Sequence, residues 1–368
     1  MSRQHRFGAS TPLSLGVEEE LLLVDFEGCL APAAERVIEA IDPEGRERIS
    51  TEIFAAQIEL KTGVCGDAGE ALADLTRMRE LACEAGARLL GAGLHPDDAG
   101  GAQLVDKERY EPVKEDLVSL LRTPPCGLHV HVGMPDPETA VRVANALRHH
   151  LPLLQALTAN SPFREGEDTG LASARAAVVA SYPRFEMPRE FRDYEEFVTV
   201  ADQLIAAAGV DDYTYIWWDV RPHPNLGTVE VRGMDVQAEV EANAAVGALI
   251  QALAAREIDR PQGPAPGLAR EALEESYYQA GRYGLGARLM VDAETAAPAS
   301  EVARGTLAEV APYARDLGGE EALAEIERIL REGNGADRQR RVHAEARMPG
   351  LLADLADRTR RLRGAWRG

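Results

Sequence analysis

Lysine is almost missing from this chain. Of the forty basic residues among 368, only Lys61, Lys107 and Lys114 are lysines; the others are arginines. A Gly-x-x-x-x-Gly-Lys-Ser/Thr phosphate loop does not occur, nor does a completed Gly-x-Gly-x-x-Gly, a His-Glu-x-x-His or a Gly-x-Ser-x-Gly elbow. The common NTPase, dinucleotide, zinc-protease and serine-hydrolase templates therefore fall away. The four cysteines (Cys29, Cys65, Cys83, Cys126) form no Cys-x-x-Cys pair, and in a chain this long they are expected to be reduced, mostly buried and inert. No apolar run approaches the roughly 18 residues of a membrane helix. The polar opening Met1–Pro12 lacks the apolar core of a signal peptide, so a cytoplasmic location is expected. Basic residues are also outnumbered, 40 against 61 acidic ones, for a net charge of −21. That excludes nucleic acid and anionic membrane as generic partners.

Short β-like segments alternate with helical ones through the first 260 residues, and the remainder reads as helical. Strands are expected at Ser14–Val24, Phe54–Thr62, Gly127–Gly133 and Gly227–Gly233, from period-two alternation and glycine punctuation. Apolar spacing of three and four predicts helices at Glu35–Ile41, Gly69–Leu90, Pro137–Ala159, Tyr194–Ala208 and Val236–Arg256. Pro261–Gly267 (PQGPAPG) cannot continue a helix and reads as a linker. Beyond it, helices are expected at Leu268–Gly281, Val302–Asp316, Glu320–Glu332 and Pro349–Leu362. Without a regular β-α-β rhythm the class is α+β with an antiparallel sheet. It is read as one catalytic domain over 1–368, a sheet-containing core (1–260) and a helical C-terminal part (268–368).

Residues two apart on a strand share a face. Each of the four strands is then apolar on one side and ionisable on the other. Glu18 and Glu20 oppose Val17 and Leu21; Gln57, Glu59 and Lys61 oppose Ile58 and Leu60. His129 and His131 oppose Leu128, Val130 and Val132; Thr228, Glu230 and Arg232 oppose Val229 and Val231. Glu19 falls on the apolar side and is expected near a strand edge. If the ionisable faces line one cavity, their glutamates repel by several kcal/mol per pair at short range, and bound cations must compensate. Oxygen ligands with an occasional imidazole suit Mg²⁺, with Mn²⁺ as the alternative, rather than structural zinc. Arg232 and Lys61 on the same faces add charge for phosphates. Together these describe phosphoryl transfer from a nucleotide.

The ordered segments Ser14–Glu20, Gln57–Thr62, Cys126–Gly133, Ala159–Phe163 (ANSPF), Trp218–Pro222, Gly227–Asp235 and Gly335–Arg340 resemble the glutamate–cysteine ligase type 2 family, in particular its YbdK-like carboxylate–amine ligases. The resemblance implies a glutamine-synthetase-like fold, an antiparallel sheet curled into a funnel with helices outside. It also implies ATP-dependent joining of a carboxylate to an amine, with amino acids such as glutamate and cysteine as small-molecule substrates. Carried over, Glu18, Glu20, Glu52, Glu59 and Glu230 match Mg²⁺-binding carboxylates, His129 an imidazole near metal and phosphates, and Arg232 a phosphate contact. His131, Arg164, Arg175, Arg221 and Thr228 complete the expected substrate and ATP contacts, Arg164 and Arg175 through the loop after Asn160-Ser-Pro-Phe163. No enzyme nucleophile is needed if ATP converts the acid to an acyl phosphate, in agreement with the missing nucleophile motifs. Two alternatives stand beside this: a His-x-His metal-dependent hydrolase on His129 and His131, and a non-catalytic nucleotide-binding relative. His149 and His150 are expected at the surface, Trp217 and Trp218 in the core. Glu59→Ala and Glu230→Ala are both expected to leave the fold intact. The sequence leaves room for a homodimer.

Overall fold

Seven antiparallel strands make the central sheet of the computed structural model, which describes residues 5–98, 100, 102–260 and 267–361. They are β1 (Leu15–Leu23), β2 (Ile49–Thr51), β3 (Gln57–Lys61), β4 (Leu89–Leu90), β5 (Gly127–Gly133), β6 (Val220–His223) and β7 (Thr228–Asp235). Their order is β2-β3-β1-β5-β7-β6, with β4 also paired to β1. The α+β class and the antiparallel sheet under outer helices agree with the sequence.

One sheet face is built for burial. Leu15, Val17, Leu128, Val130, Val132, Val229 and Val231 join one apolar cluster with Ala244, Ala245, Ala248, Leu249 and Ala252 of helix α3 (Val240–Asp259). Each such Val or Leu contributes about 1.5–3 kcal/mol on burial, which fixes strand register, because a one-residue slip would turn the whole set outward. Helix α1 (Ala68–Glu84) packs on β1 and β3, started by Asp67, whose carboxylate accepts from the Glu70 N–H.

Several boundaries differ from expectation. The helix expected at 137–159 breaks into Pro137–Arg148 and Leu151–Thr158, since Pro152 fits only a first turn. The 69–90 helix stops at Glu84, leaving Leu89–Leu90 to pair with β1. The tail is not wholly helical: Arg288–Met290 and Ala296–Pro298 form a hairpin. Its last helix, α4 (Gly335–Arg360), begins well before Pro349. Asn334 and Asp337 form a capping box there, and the helix is broken at Arg347, whose φ is 57°. Of the expected linker, residues 261–266 lie outside the described residues, as does Leu362.

Glu19 is not at an edge. It is fully buried, and its carboxylate accepts from Arg79 Nε (2.8 Å) and Nη2 (2.9 Å) and from Asn243 Nδ2 (2.7 Å). Arg79 Nη1 also donates to the carbonyls of Ala238 (2.7 Å) and Thr359 (3.2 Å). Buried charge is tolerated on this face because its partners are satisfied. Nor are His149 and His150 surface residues. Both are half-buried, and burial, with Arg256 beside it, pushes His150 down to about 3. Cys65 and Cys126 are buried, Cys29 is exposed, and all four cysteines are free.

Candidate active site

The other face of the sheet carries the ionisable residues, and strand register sets them in rows. Glu18 stands opposite both Lys61 and His129, Glu20 opposite Glu59, and Glu59 opposite Ser50. His131 lies opposite Glu230, and Glu230 opposite Arg221. Between Leu128 and Val130 the β5–β7 register shifts, so that Arg232 and Gly233 together oppose His129. Such a bulge re-aims side chains beside a site.

These rows converge on one cavity of about 360 Å³. His129 Nδ1 lies 3.3 Å from Glu18 Oε2, and its Nε2 3.7 Å from Glu20 Oε1. His131 Nδ1 contacts Thr228 Oγ1 at 3.0 Å, while its buried Nε2 has no hydrogen-bond partner among the described residues. Glu20 Oε2 accepts from the Gly127 N–H at 2.5 Å, and Ser50 Oγ donates to Glu59 at 3.1 Å. Lys61 pairs with Glu59. Arg221 Nε donates to Glu230 Oε2 at 2.7 Å, with Arg232 Nε 3.8 Å from the other oxygen.

Burial is the largest single influence on each of these groups; it sets the direction at Glu59 and Arg232 and is outweighed by the neighbours at Glu18, Glu230, His131 and Lys61. It raises Glu59, and the charge of Glu18 raises it further, against the opposing pull of Lys61 and His129. For Glu18 burial is outweighed by its bond to His129, by the nearness of His131, whose Nε2 lies 3.8 Å away, and by the charges of His131 and Lys61, so its carboxyl lies well below the usual range. Arg221, Arg232 and His131 do the same for Glu230. Burial would lower His131, but the Glu18 carboxylate 3.8 Å from its Nε2 and the charge of Glu230 raise it. Lys61 is raised despite burial by Glu59 and Glu18. Burial lowers Arg232 against the pull of Glu230.

Two ligand sets emerge with donor atoms mutually within 4.8 Å: Glu18, Glu59 and His129, and Glu20, Glu52 and Glu59. Glu59 belongs to both. Hard oxygens, one imidazole and a shared carboxylate fit a pair of divalent cations of the Mg²⁺ or Mn²⁺ kind.

Against this charged floor stands a roof of different character. Segment 107–121 is pinned to β2 by Lys107 Nζ on Thr51 Oγ1 (2.6 Å) and Tyr110 OH on the Thr51 carbonyl (2.8 Å). It brings Leu117 and Leu121 over the floor; helix α2 (Ala174–Val179) and the turn after it bring Val179, Tyr182 and Phe185.

All the residues singled out from the sequence line this cavity except Arg164 and Thr228. Arg164 faces a separate shallow groove and pairs with Glu165. Thr228 stands behind His131. The Asn160-Ser-Pro loop does not line the cavity either: Asn160 N–H and Ser161 Oγ bond Asp235, which lies 3.8 Å from Arg175. Trp218 is in the core, but Trp217 is half-buried, lines the cavity and carries the Arg184 guanidinium 5.5 Å from its ring centroid. His223 was missed. It shares the Arg221 face of β6, its ring meets that of His131 edge-on at 5.5 Å, and burial pushes it down to about 3. The two-residue spacing from Arg221 was the available signal.

Comparison with known proteins now adds to this geometry. The model of glutamate–cysteine ligase family 2 matches residues 14–358. Two Rubrobacter xylanophilus proteins named "Putative glutamate--cysteine ligase 2-3" and "2-1" are 41% identical over 367 residues (96% of this chain, 99% of that protein) and 38% over 343 (90% and 91%). A bifunctional glutathione synthetase from Pasteurella multocida has a similar fold, with a TM-score of 0.69 at 13% identity. The match covers 94% of this chain and 52% of that one, about half its length. Glutamate–cysteine ligase from Francisella tularensis, solved in complex with AMP, scores 0.64 at 13% identity over 95% and 93%. Similarity at that identity speaks for the fold alone. No described helix is long and apolar enough to cross a membrane.

Proposed function

The chain belongs to glutamate–cysteine ligase family 2, and on that premise we propose that it is an ATP-dependent carboxylate–amine ligase working through an acyl phosphate, with γ-glutamylcysteine synthesis as a weak activity. The observation that carries this reading is the sharing of Glu59 between two sets of hard-cation ligands, in a cavity that Arg175 and Arg232 also line. The AMP in the Francisella neighbour supports an adenine nucleotide.

A carboxylate is a poor electrophile and an ammonium is no nucleophile, so direct condensation stalls. In the reaction proposed, a carboxylate oxygen attacks the γ-phosphorus and the bond to ADP breaks. A neutral amine then attacks the acyl carbon and phosphate leaves. Glu18, Glu59 and His129 would hold one Mg²⁺ and Glu20, Glu52 and Glu59 the other; bound there, the ions would neutralise phosphate oxygens. Arg232, at the bulge and 3.8 Å from Glu230, supplies positive charge where negative charge builds up. Lys61 adds a second cation. Arg221 serves differently, since its Nε is committed to Glu230 and its Nη1 to backbone carbonyls. It keeps Glu230 ionised and in place.

A screen of acids and amines with ATP and Mg²⁺, reading phosphate release and product mass, tests the proposal. Release that requires both an acid and an amine, with an amide product, supports it. Tightly held stoichiometric Zn²⁺ with amide or ester hydrolysis instead would overturn it in favour of the His-x-His hydrolase.

A further inference from the structure

Two side chains behind the cavity have no part in the reaction as proposed. Neither Asp219, the residue before β6, nor Tyr277, on the helix Arg270–Tyr283, lines the cavity. Asp219 is 3% exposed. Its backbone N–H donates to the Glu186 carbonyl (3.0 Å), and its own carbonyl accepts the Arg232 N–H (2.8 Å), which extends the β6–β7 ladder into the bulge. The Tyr277 hydroxyl sits between two acceptors, the Gly233 carbonyl at 3.0 Å and Asp219 Oδ1 at 3.3 Å. Burial, with the charge of Asp219, holds the phenol well above its usual range, so it keeps its proton.

The fit leaves no room for a side chain on the strand. A Cβ on Gly233 would lie 2.5 Å from the Tyr277 oxygen and 2.7 Å from Asp219 Oδ1. Arg175 Nη1 reaches the same carbonyl, but at 3.4 Å, so Tyr277 is its nearer donor. The Tyr277 helix holds on a second time at its first turn, where Arg270 pairs with the Glu186 carboxylate at 2.7 Å. Glu186 is thus joined to this helix by its side chain and to Asp219 by its carbonyl.

Arg232 is the residue these bonds enclose, with its N–H on Asp219 and the carbonyl after it on Tyr277. Its buried Nε has no hydrogen-bond partner among the described residues and lies 3.8 Å from Glu230. With Nε untied, the backbone of the bulge is what aims the side chain. We propose that Tyr277 is a positioning residue for Arg232: by holding the Gly233 carbonyl and meeting Asp219 it fixes the bulge, and keeps the guanidinium directed into the cavity where the reaction builds up negative charge. The helical C-terminal part then reaches the chemistry through one hydroxyl. The inference rests on the ligase reading above.

Tyr277→Phe tests it, because it removes the hydroxyl and leaves the ring. The value of kcat per folded molecule, taken well below the melting temperature, should fall by about tenfold or more, since a small misplacement is enough. The KM values for ATP, acid and amine should stay within about twofold, as expected when the lost interaction is made only in the transition state. Amide hydrogen exchange gives a readout that needs no turnover: residues 230–234 should exchange about tenfold faster in the variant, while β1 and β3 keep the protection of the parent. A merely structural role predicts a lower melting temperature with kcat per folded molecule unchanged, and that result overturns the inference. Unaltered exchange at 230–234 overturns it too, as does a loss confined to KM. No phosphate release by the unsubstituted protein with any acid and amine overturns the ligase reading itself, and exchange then still decides whether Tyr277 fixes the bulge.

Discussion

Glu59 and Glu230 resemble each other in sequence, yet their substitution should have opposite consequences for stability. Glu59 is pressed by the charge of Glu18, and its partner Lys61 is 38% exposed, so that pair contributes little. Glu59→Ala should unfold in urea within about 1 kcal/mol of the parent when divalent ions are absent, while turnover is lost. Glu230→Ala leaves Arg221 buried without its carboxylate, at a cost of about 3–5 kcal/mol, and the expectation of an intact fold does not extend to it. Asp219 provides a pH signature. Burial pushes its carboxyl from 3.8 up to about 6, so the fold favours the neutral form. That contribution is complete below about pH 4 and is lost as pH rises through about 6. Asp219→Asn, which can still accept from Tyr277, should remove this decline and gain up to about 3 kcal/mol above pH 7, read from urea midpoints between pH 4 and 8. Single residues were legible where chemistry and parity agreed, as at Glu18 and His129. Glu19 was not, because its parity is that of the core, and only an arginine from another element makes it acceptable. Arg79, four residues after Leu75 in an otherwise apolar stripe of α1, was the overlooked sign.

Between strands, the alternation of β1, β3, β5 and β7 was enough to find the floor of the site. Register and the bulge were not legible, since they depend on which strands pair. The roof was hidden for another reason: segments 107–121 and 180–187 have no sustained period, and their apolar residues look like isolated ones until they meet Leu117 and Val179 in space. The absence of a side chain on β5 is testable. A Cβ on Gly127 would lie 2.6 Å from Arg175 Nη2, 3.0 Å from His129 Nε2 and 3.3 Å from Glu20 Oε2. Gly127→Ala should therefore reduce kcat/KM at least tenfold, about 1.4 kcal/mol, with a much smaller shift in melting temperature. Equal losses in both would place its effect in folding rather than in the site.

A molecule with net charge −21 and several glutamates gathered in one cavity should respond to divalent cations as a ligand, not only as salt. At a hundredfold excess over Kd, Mg²⁺ should raise unfolding free energy by about 2.7 kcal/mol. NaCl of equal ionic strength should do less, and Glu59→Ala should lose the difference; a thermal melt of each protein checks this. One more property follows from the reach of Arg79. It grips Glu19, flanked by Glu18 and Glu20, and donates at its other end to the carbonyl of Thr359, while the Thr359 hydroxyl accepts the Gly91 N–H. On a ribosome, the strand that bears Glu18 and Glu20 emerges long before Thr359, 280 residues beyond Arg79, so its anchor is not finished until that threonine has been synthesised and released. Order at these glutamates is thus acquired only once Thr359 has been made, and a nascent chain halted before that threonine should carry the glutamates without holding them still.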